Sequence, residues 1–511
     1  MQKNAIKSIV IVGGGTAGWM AAALLAKRFP KERLKITLVE STDIGIIGVG
    51  EATVPAMKVY LDELGIDERD FIRSTQATFK LGIDFVDWHK PGKAFFHPFA
   101  TFGANINKVA FHHLWTKMYA AGKAGPIDNY SLAAQMSRQH KFALPKNNAE
   151  AIDISRFGYA FHFDAALFVQ LLSKFSLNLG VQRYEGIVMN ATQDSSTGFI
   201  TSVNMADGAS IYGDFFIDCS GFRGLLIEQT LHTGYSDWSK WLPCNKAVVM
   251  PCENNGSMPT HTKSLAVEAG WQWRIPLQHR TGNGYVYCTD FISDDEAAHK
   301  LIKNLERKPL ADPKFIPFLT GTRNKTWNKN VLALGLAGGF LEPLESTSIY
   351  LVQSSLRTFY SHFPQNNDYE KLAARANQMI MTHQEKLRDF IILHYYLNQR
   401  AGEPFWDYCR NMQIPDSLSS RIEEYTVSAD ITLDELDFFK FNSWLAIFSG
   451  FAKLPAYYHP KADEFDGNLL EKELQNMSTG IANILTHLPS HQDFITSNCA
   501  AKKISTKYFV C

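Results

Sequence analysis

The chain has 511 residues with 51 basic and 51 acidic side chains, so no net charge directs it to nucleic acid or to an anionic membrane surface. Its seven cysteines are scattered and lack any Cys-x-x-Cys spacing, which argues against a disulfide framework and a structural zinc site. No stretch of about 18 residues is apolar enough to span a bilayer, and the N-terminus lacks a secretory leader. We expect a soluble, cytoplasmic protein of more than one structural unit, without metal, nucleic acid or membrane partner.

The N-terminal segment carries the strongest signal in the chain. An apolar run, IVIV, leads into Gly13-x-Gly15-x-x-Gly18, an Ala- and Leu-rich helix follows, and the second strand ends in Glu40. In a dinucleotide-binding βαβ unit the first glycine permits a tight turn, the second admits a pyrophosphate to the helix N-terminus, and the third lets helix and strand pack closely. The acid accepts hydrogen bonds from a ribose. We predict dinucleotide contacts at Gly13, Gly15, Thr16, Ala17, Gly18 and Glu40.

Two later segments favour FAD over NAD. The run GDFFIDCSG predicts a strand ending at Asp218, and NVLALGLAGG predicts a strand and a glycine-rich turn at Gly335, followed by a helix. Such returns to the sheet complete the extended pocket of a flavoprotein. The chain has no second complete GxGxxG unit, so electrons must come from a separate NAD(P)H-dependent flavin reductase. The further FAD contacts are predicted at Ala52, Asp218, Gly335, Ser348 and Ile349.

Three other segments have ordinary interpretations when they are considered alone. The alternation of TFKLGIDFVDW predicts one strand with Lys80 and Asp84 on its polar face, as a solvated ion pair. Glu345 precedes a predicted helix whose N-cap is residue 346 or 347, where a carboxylate is commonly a partner of the helix dipole. The run GWQWRIP, residues 270–276, predicts a strand that its proline ends, with two indoles that pack a core.

Seven motifs nevertheless occur in the order found in the flavin-dependent tryptophan halogenases: GGGTAGWMAA, GVGEATVP (48–55), FK (79–80), HPF (97–99), YAFHFDA (159–165), GWQWRIP and FLEPLEST (340–347). The chain resembles this family over roughly its first 360 residues. The family's Trp-x-Trp-x-Ile-Pro signature is matched by Trp271, Trp273, Ile275 and Pro276. The resemblance implies a two-component halogenase that uses FADH2, O2 and chloride or bromide to make hypohalous acid. The acid travels through the protein to an electron-rich aromatic, and the two tryptophans form a wall that keeps this substrate away from the flavin.

The resemblance also assigns the reacting residues. Lys80 matches the catalytic lysine, which captures or hydrogen-bonds the hypohalous acid. Glu345 matches the glutamate that stabilises the cationic ring intermediate or accepts its proton, whereas we expect Glu342 to be structural. The first N–H groups of the helix, at Thr347 and Ser348, form the halide site. Ser348 replaces a glycine of the family's usual STG, so the choice of halide stays open, and we favour bromide because it is easier to oxidise.

Substrate recognition is where the chain departs from tryptophan-specific members of the family. His97 and Phe99 match one wall of an aromatic sandwich, with simple core packing as the alternative. A Tyr-Tyr pair that holds the amino-acid carboxylate in those members is placed at Trp444 and Leu445 here, and neither side chain has a phenolic hydroxyl. We therefore expect an indole-like aromatic without the amino-acid head, with Trp444 among its contacts.

The predicted fold class is α/β, with an FAD-binding Rossmann-like module of the flavin monooxygenase type, a mixed β-sheet and a mostly helical substrate module. Residues 1–90, 150–240 and 325–365 form the discontinuous FAD module, 241–324 a sheet over the flavin and substrate tunnel, and 91–149 with 366–511 the helical module. Two other functions stay open: an FAD-dependent aromatic hydroxylase, and a flavin-binding module without turnover. The oligomeric state also stays open, with a homodimer as one alternative.

Overall fold

A six-stranded sheet carries the glycine-rich turn near the N-terminus. The computed structural model describes residues 6–42, 50–145, 156–364 and 369–504, so positions 48 and 49 of the GVGEATVP motif lie outside the described residues. The strand order is Trp327–Asn328, Val331–Ala333, Phe215–Asp218, Ser8–Val12, Lys35–Glu40 and Gln182–Glu185. Every neighbouring pair is parallel except the first. Both predicted returns to the sheet therefore end at the same edge as the glycine-rich turn, and the α/β class is confirmed.

Three helices pack around this turn: Thr16–Arg28, Ala165–Asn178 and Ser348–Ser361. In Thr16–Arg28 every residue from Gly18 to Ala26 is buried, because its small side chains let the helix approach neighbours on several sides. Ser348–Ser361 turns one apolar stripe toward the same core. This helix therefore starts at the edge of the sheet where the glycine-rich turn lies.

A second sheet, of seven strands, carries the Trp-x-Trp motif. Its order is Lys314–Pro317, Lys246–Cys252, Thr281–Tyr287, Gly270–Pro276, His261–Val267, Gly82–Val86 and Ala94–Pro98. All neighbours are antiparallel except the parallel pair His261–Val267 and Gly82–Val86. Trp273 lies opposite Gly284, where a Cβ would come within 2.1 Å of the indole ring. The glycine therefore provides the space that Trp273 occupies.

Two strands of this sheet come from outside the predicted segment 241–324. Gly82–Val86 was expected in the FAD module and Ala94–Pro98 in the helical module. They join the second sheet because Gly82–Val86 pairs with His261–Val267, which is distant in sequence. The order of elements along the chain does not reveal such a pairing.

The segment TFKLGIDFVDW also departs from the predicted single strand. Thr78–Lys80 pairs with Ala160–Asp164 in a three-stranded sheet that Gly50–Ala52 completes. The residues after Lys80 enter the seven-stranded sheet instead. Lys80 and Asp84 consequently share no face, and their predicted pairing is wrong.

The other helices lie mostly toward the C-terminus. They are Ala56–Leu64, Glu68–Thr75, Phe111–Ala120, Leu132–Arg138, Asp294–Lys303, Tyr369–Tyr396, Pro404–Asn411, Asp416–Ser428, Phe441–Gly450, Gly467–Thr486 and His491–Asn498. Two small sheets consist of Val188–Gln193, Ile200–Met205 and Ser210–Tyr212, and of Tyr235–Asp237, Gly321–Arg323 and Gly339–Phe340. The helix Tyr369–Tyr396 is buried on all sides between Leu387 and Tyr395, so it carries polar side chains into the interior. Within the four described ranges, no helix is long and apolar enough to cross a membrane.

Candidate active site

A cleft of about 1350 Å³ opens at the glycine-rich turn and extends to Trp271 and Trp273. Pockets for drug-sized ligands usually measure about 300–1,000 Å³, so this cleft suits a longer molecule. The predicted FAD contacts that line it are Gly13, Gly15, Thr16, Ala17, Glu40, Ala52, Gly335, Ser348 and Ile349.

The three glycines of the turn meet different geometric requirements. Gly13 has a φ of +115°, and a Cβ there would lie 2.2 Å from the carbonyl oxygen of Cys219. A Cβ on Gly18 would lie 1.9 Å from the carbonyl oxygen of Gly13, so the helix packs directly on the turn. A Cβ on Gly15 would meet no atom of the described residues within 4 Å. The helix N-terminus is therefore open to a ligand on the side of Gly15, where an anion is stabilised by free N–H groups.

Glu40 and Asp218 end the two strands that flank Ser8–Val12 in the first sheet, but only the Glu40 carboxylate faces the cleft. The Glu40 carboxylate lines the cleft and accepts hydrogen bonds from Trp19 Nε1 (3.2 Å) and from Arg183. The Asp218 carboxylate accepts three backbone N–H groups from residues 220–227 and lies outside the cleft lining. The Asp218 carboxylate therefore holds the adjacent turn in place, and its predicted FAD contact stays a prediction.

Trp271 and Trp273 line the cleft on the side of the seven-stranded sheet, with ring centroids 6.0 Å apart. Trp271 Nε1 donates to Glu342 (3.0 Å), which also accepts the hydroxyl of Tyr395 (2.7 Å). Burial raises the pKa of Glu342 to about 7, although both hydrogen bonds act in the opposite direction. Glu342 therefore fixes the indole of Trp271 from behind, which agrees with a structural role.

Lys80 lies in the interior, with 0% of its surface exposed. Its ammonium donates to the carbonyl oxygen of Thr53 (3.1 Å) and to the hydroxyl of Ser346 (2.8 Å), and it lies 5.2 Å from the ring centroid of Phe99. Burial lowers the pKa of Lys80 to about 7, while the charge of Glu345 opposes this change. Lys80 is thus a dehydrated amine beside the cleft, because Ser346 lines the cleft as well.

Glu345 ends the short 3₁₀ helix Pro343–Glu345 and is also 0% exposed. His97 Nδ1 lies 3.0 Å from each of its carboxylate oxygens, and His394 Nε2 lies 2.8 Å from Oε1. Burial alone would raise the pKa of Glu345, but the charges and hydrogen bonds of His97 and His394 lower it to about 2. The carboxylate is therefore ionised, and both of its oxygens are held.

The helix Ser348–Ser361 begins beside this cluster. Thr347 occupies the N-cap position, as predicted, but its side chain makes no capping hydrogen bond. The Thr347 hydroxyl is buried and has no hydrogen-bond partner among the described residues. Free N–H groups and an unpaired hydroxyl thus meet at one helix N-terminus, which is a donor set suited to a small anion.

The predicted substrate residues His97 and Trp444 belong to one aromatic group. Phe390 lies between them in contact, at centroid distances of 5.8 Å from His97 and 5.1 Å from Trp444, and it stacks on Phe439 at 3.8 Å. Trp444 is 1% exposed and therefore packed in the interior, and its predicted contact with a substrate stays a prediction. Phe390 and Phe439 cannot be recognised from the sequence as members of this group, because their apolar spacing predicts burial without indicating what they contact.

Another cluster lies away from this site. His112, His113 and Asp430 bring ligand-type atoms within 4.8 Å of one another. However, His113 Nδ1 accepts the backbone N–H of His459 (3.3 Å), so a neutral His113 carries its proton on Nε2, which faces Asp430. That nitrogen then offers no lone pair to a metal, and we interpret the cluster as a hydrogen-bonded tie between distant chain segments.

Known proteins resemble this chain over most of its length. The family model described as tryptophan halogenase matches residues 8–467. The tryptophan 6-halogenase ThaL of Streptomyces albogriseolus is 32% identical over 506 residues, covering 92% of this chain and 94% of that protein. The tryptophan 7-halogenase RebH of Lentzea aerocolonigenes is 34% identical over 454 residues, covering 84% of each. The solved structure of BrvH, a flavin-dependent halogenase from Brevundimonas sp. BAL3, has a TM-score of 0.93 at 40% identity and covers 96% of this chain and 99% of that one.

Proposed function

The chain belongs to the tryptophan halogenase family of flavin-dependent enzymes, and from this premise we propose that it replaces a hydrogen of an indole-like aromatic by bromine or chlorine. In the net step, an aromatic C–H and a hypohalous acid give a carbon–halogen bond and water. The observation that carries the proposal is the buried cluster beside the cleft, in which the Lys80 ammonium donates to Ser346 and is stabilised by the charge of Glu345.

The cleft fits FAD. The open side of Gly15 suits the pyrophosphate, and Glu40 lies where a ribose hydroxyl would be bound. We assign the flavin end to the lining near Ala52, Ser348 and the tryptophan pair. When bound, reduced FAD together with O2 supplies the oxidising equivalents that convert a halide into hypohalous acid. Because the chain has one glycine fingerprint, we assign the reduction of FAD to a separate NAD(P)H-dependent flavin reductase.

The halide is assigned to the N-terminus of the helix Ser348–Ser361. The backbone N–H groups of Thr347 and Ser348 and the unpaired Thr347 hydroxyl are its donors. Ser348 adds a side chain at this position and lines the cleft. The oxidised halogen then has a short route to Lys80, since Ser346 contacts both the cleft and the Lys80 ammonium.

Lys80 and Glu345 have different roles in the substitution of the aromatic ring. The Lys80 ammonium donates a hydrogen bond to the oxygen of the hypohalous acid, which makes the halogen more electrophilic and holds it in place. The Glu345 carboxylate remains ionised, because its pKa is lowered to about 2. It stabilises the positive charge on the attacked ring and takes the proton from the substituted carbon. Rearomatisation then leaves the halogenated product.

The substrate is assigned to the side of the cluster that Phe99 and the aromatic group of His97 and Trp444 define. Trp271 and Trp273 line the cleft, and we assign to them the separation of this side from the flavin. ThaL and RebH are named as tryptophan halogenases. Here the buried pair Trp444–Leu445 replaces the expected tyrosine pair, so we propose an indole-like substrate without an amino-acid head.

The test is product analysis. Purified protein, FAD, NADH and an added flavin reductase are incubated with indole and other aromatics in bromide or chloride, and products are identified by mass spectrometry. We expect halogenated indole, and we expect negligible NADH oxidation when the reductase is left out. A hydroxylated product that forms equally without halide would support the aromatic hydroxylase instead, and the absence of any product would favour a flavin-binding module.

A further inference from the structure

Resting on the proposed function, we propose that His394 is a positioning residue that carries a positive charge. One of its N–H groups holds the Glu345 carboxylate, and the other holds the backbone of its own helix. The family resemblance drew attention to Lys80 and Glu345, whereas His394 lies within Tyr369–Tyr396, far from any motif.

His394 carries a proton on Nδ1. His394 Nδ1 lies 2.8 Å from the carbonyl oxygen of Phe390. A carbonyl oxygen can only accept a hydrogen bond, so this nitrogen must be the donor. A neutral histidine has one N–H group, and in His394 that group is already used.

The other ring nitrogen, Nε2, lies 2.8 Å from Glu345 Oε1. With Nδ1 protonated, a neutral ring would present a lone pair to a carboxylate oxygen, and two acceptors would repel each other at this distance. The pair must therefore hold one additional proton, either on Glu345 or on Nε2. The position of His97 favours a proton on Nε2 over a proton on Glu345. Its Nδ1 lies 3.0 Å from both carboxylate oxygens, and this contact favours the ionised carboxylate. The proton is therefore on His394.

The surroundings of His394 stabilise a cation. Its ring lies 5.0 Å from Phe85 and 5.2 Å from Phe390, measured between centroids, and aromatic rings attract a cation at such distances. The titratable group that its edge meets is Glu345, and His97 and Lys80 lie across that carboxylate. A buried cation without a partner would be costly, so the charge of His394 depends on Glu345.

The Glu345 carboxylate is therefore hydrogen-bonded by two imidazole rings. His97 Nδ1 lies at hydrogen-bond distance from both oxygens, and His394, on the helix Tyr369–Tyr396, contacts Oε1. These hydrogen bonds fix the plane of the Glu345 carboxylate and keep it charged at neutral pH. His394 thereby acts through Glu345 and is not itself in contact with the reacting atoms.

The protonation state can be measured without turnover, by NMR of the full-length protein labelled with ¹⁵N-histidine. We expect both ring nitrogens of His394 to be protonated at pH 7, with the signals assigned by their loss in His394→Gln. In Glu345→Gln, where the negative charge is removed, we expect His394 to become neutral. A neutral His394 in the unmodified protein, or a charge that persists in Glu345→Gln, would overturn the proposal. Failure to detect halogenation would leave this measurement intact.

Kinetics of two matched variants test the positioning role. His394→Asn keeps a donor near the Phe390 carbonyl and loses the bond to Glu345, whereas His394→Gln keeps a donor near Glu345. We expect kcat for halogenation to fall about 10- to 100-fold in His394→Asn and less than about 10-fold in His394→Gln, with KM changed less than about twofold. In the Glu345→Gln background the same replacements should have no further effect. Equal losses in the two variants, or additive losses with Glu345→Gln, would assign His394 to helix packing and overturn the proposal.

Discussion

The flavin cleft and the buried cluster beside it are built by different means. The glycine-rich turn of the cleft is shaped by the backbone of one short stretch, where a Cβ on Gly13 or Gly18 would come within 2.2 Å or 1.9 Å of a carbonyl oxygen. The cluster is built by groups from five separate segments, namely the carbonyl oxygen of Thr53 and the side chains of Lys80, His97, Glu345 with Ser346, and His394. The turn proposed to hold the pyrophosphate therefore depends on local geometry, whereas the buried cluster depends on how distant segments meet.

The largest expected effect separates these two regions. Lys80→Met keeps much of the side-chain volume and removes the ammonium, so we expect halogenation to fall about 10²–10³-fold while FAD still binds. Product is measured by mass spectrometry and FAD affinity by quenching of flavin fluorescence. Because Lys80 lies outside the cleft lining, a loss of FAD affinity in Lys80→Met would break the distinction between the two regions.

The matched variant on the other side is Gly13→Ala. Its Cβ would lie 2.2 Å from the Cys219 carbonyl oxygen at a φ of +115°, so the turn must shift. We expect FAD affinity to fall at least about tenfold, with halogenation partly restored at high FAD concentration. If Gly13→Ala binds FAD normally and only the chemistry is lost, the backbone does not shape the cleft in the way described.

The next effect is expected at Glu345. Glu345→Gln keeps the shape of the side chain and removes the charge that stabilises the attacked ring, so we expect kcat to fall about 10- to 100-fold with KM little changed. Steady-state halogenation with saturating halide measures both constants. An unchanged kcat would mean that Glu345 serves only the adjacent helix terminus.

The sequence predicts the cleft better than the buried cluster, because the turn of the cleft is local and the cluster is not. The glycines, Glu40 and the strand–helix–strand unit that carries them could be predicted, because a dinucleotide turn is encoded within one continuous segment. The strand through Lys80 was predicted wrongly, since alternation continues across the point where the chain changes sheets. A pattern with a period of two cannot show that change.

The cluster itself was found only in part. Lys80 and Glu345 were identified through the family resemblance, whereas Ser346 and His394 have no local signal for their contacts with them. His97 is predicted as one wall of an aromatic sandwich or as core packing, and neither prediction indicates the contact of its Nδ1 with Glu345. Side chains that meet through tertiary packing are set by the register of distant elements, which spacing along the chain does not contain.

A smaller effect is expected in substrate choice. A carboxylate left without donors in a buried site costs about 1–3 kcal/mol, so indole should be halogenated about 5- to 150-fold more efficiently than tryptophan. Bromide should give the faster reaction, because Ser348 alters the halide site and bromide is the more easily oxidised ion. Competition between equal amounts of the two substrates, in bromide and then chloride, measures both ratios. A clear preference for tryptophan would show that other residues bind the amino-acid head.

The smallest effect on turnover is expected at Glu342, which supports the wall between the two regions. Because burial raises its pKa from 4.5 to about 7, the neutral form is favoured by folding, and its contribution to stability is lost as the pH rises from about 5 through 7. Glu342→Gln cannot ionise, so its melting temperature should fall less between pH 5 and pH 8 than that of the unmodified protein, with kcat within about threefold. Thermal unfolding at the two pH values measures the difference. Equal pH dependence in both proteins would mean that Glu342 does not titrate in this range, and the Trp271 indole would then be held by an ionised carboxylate.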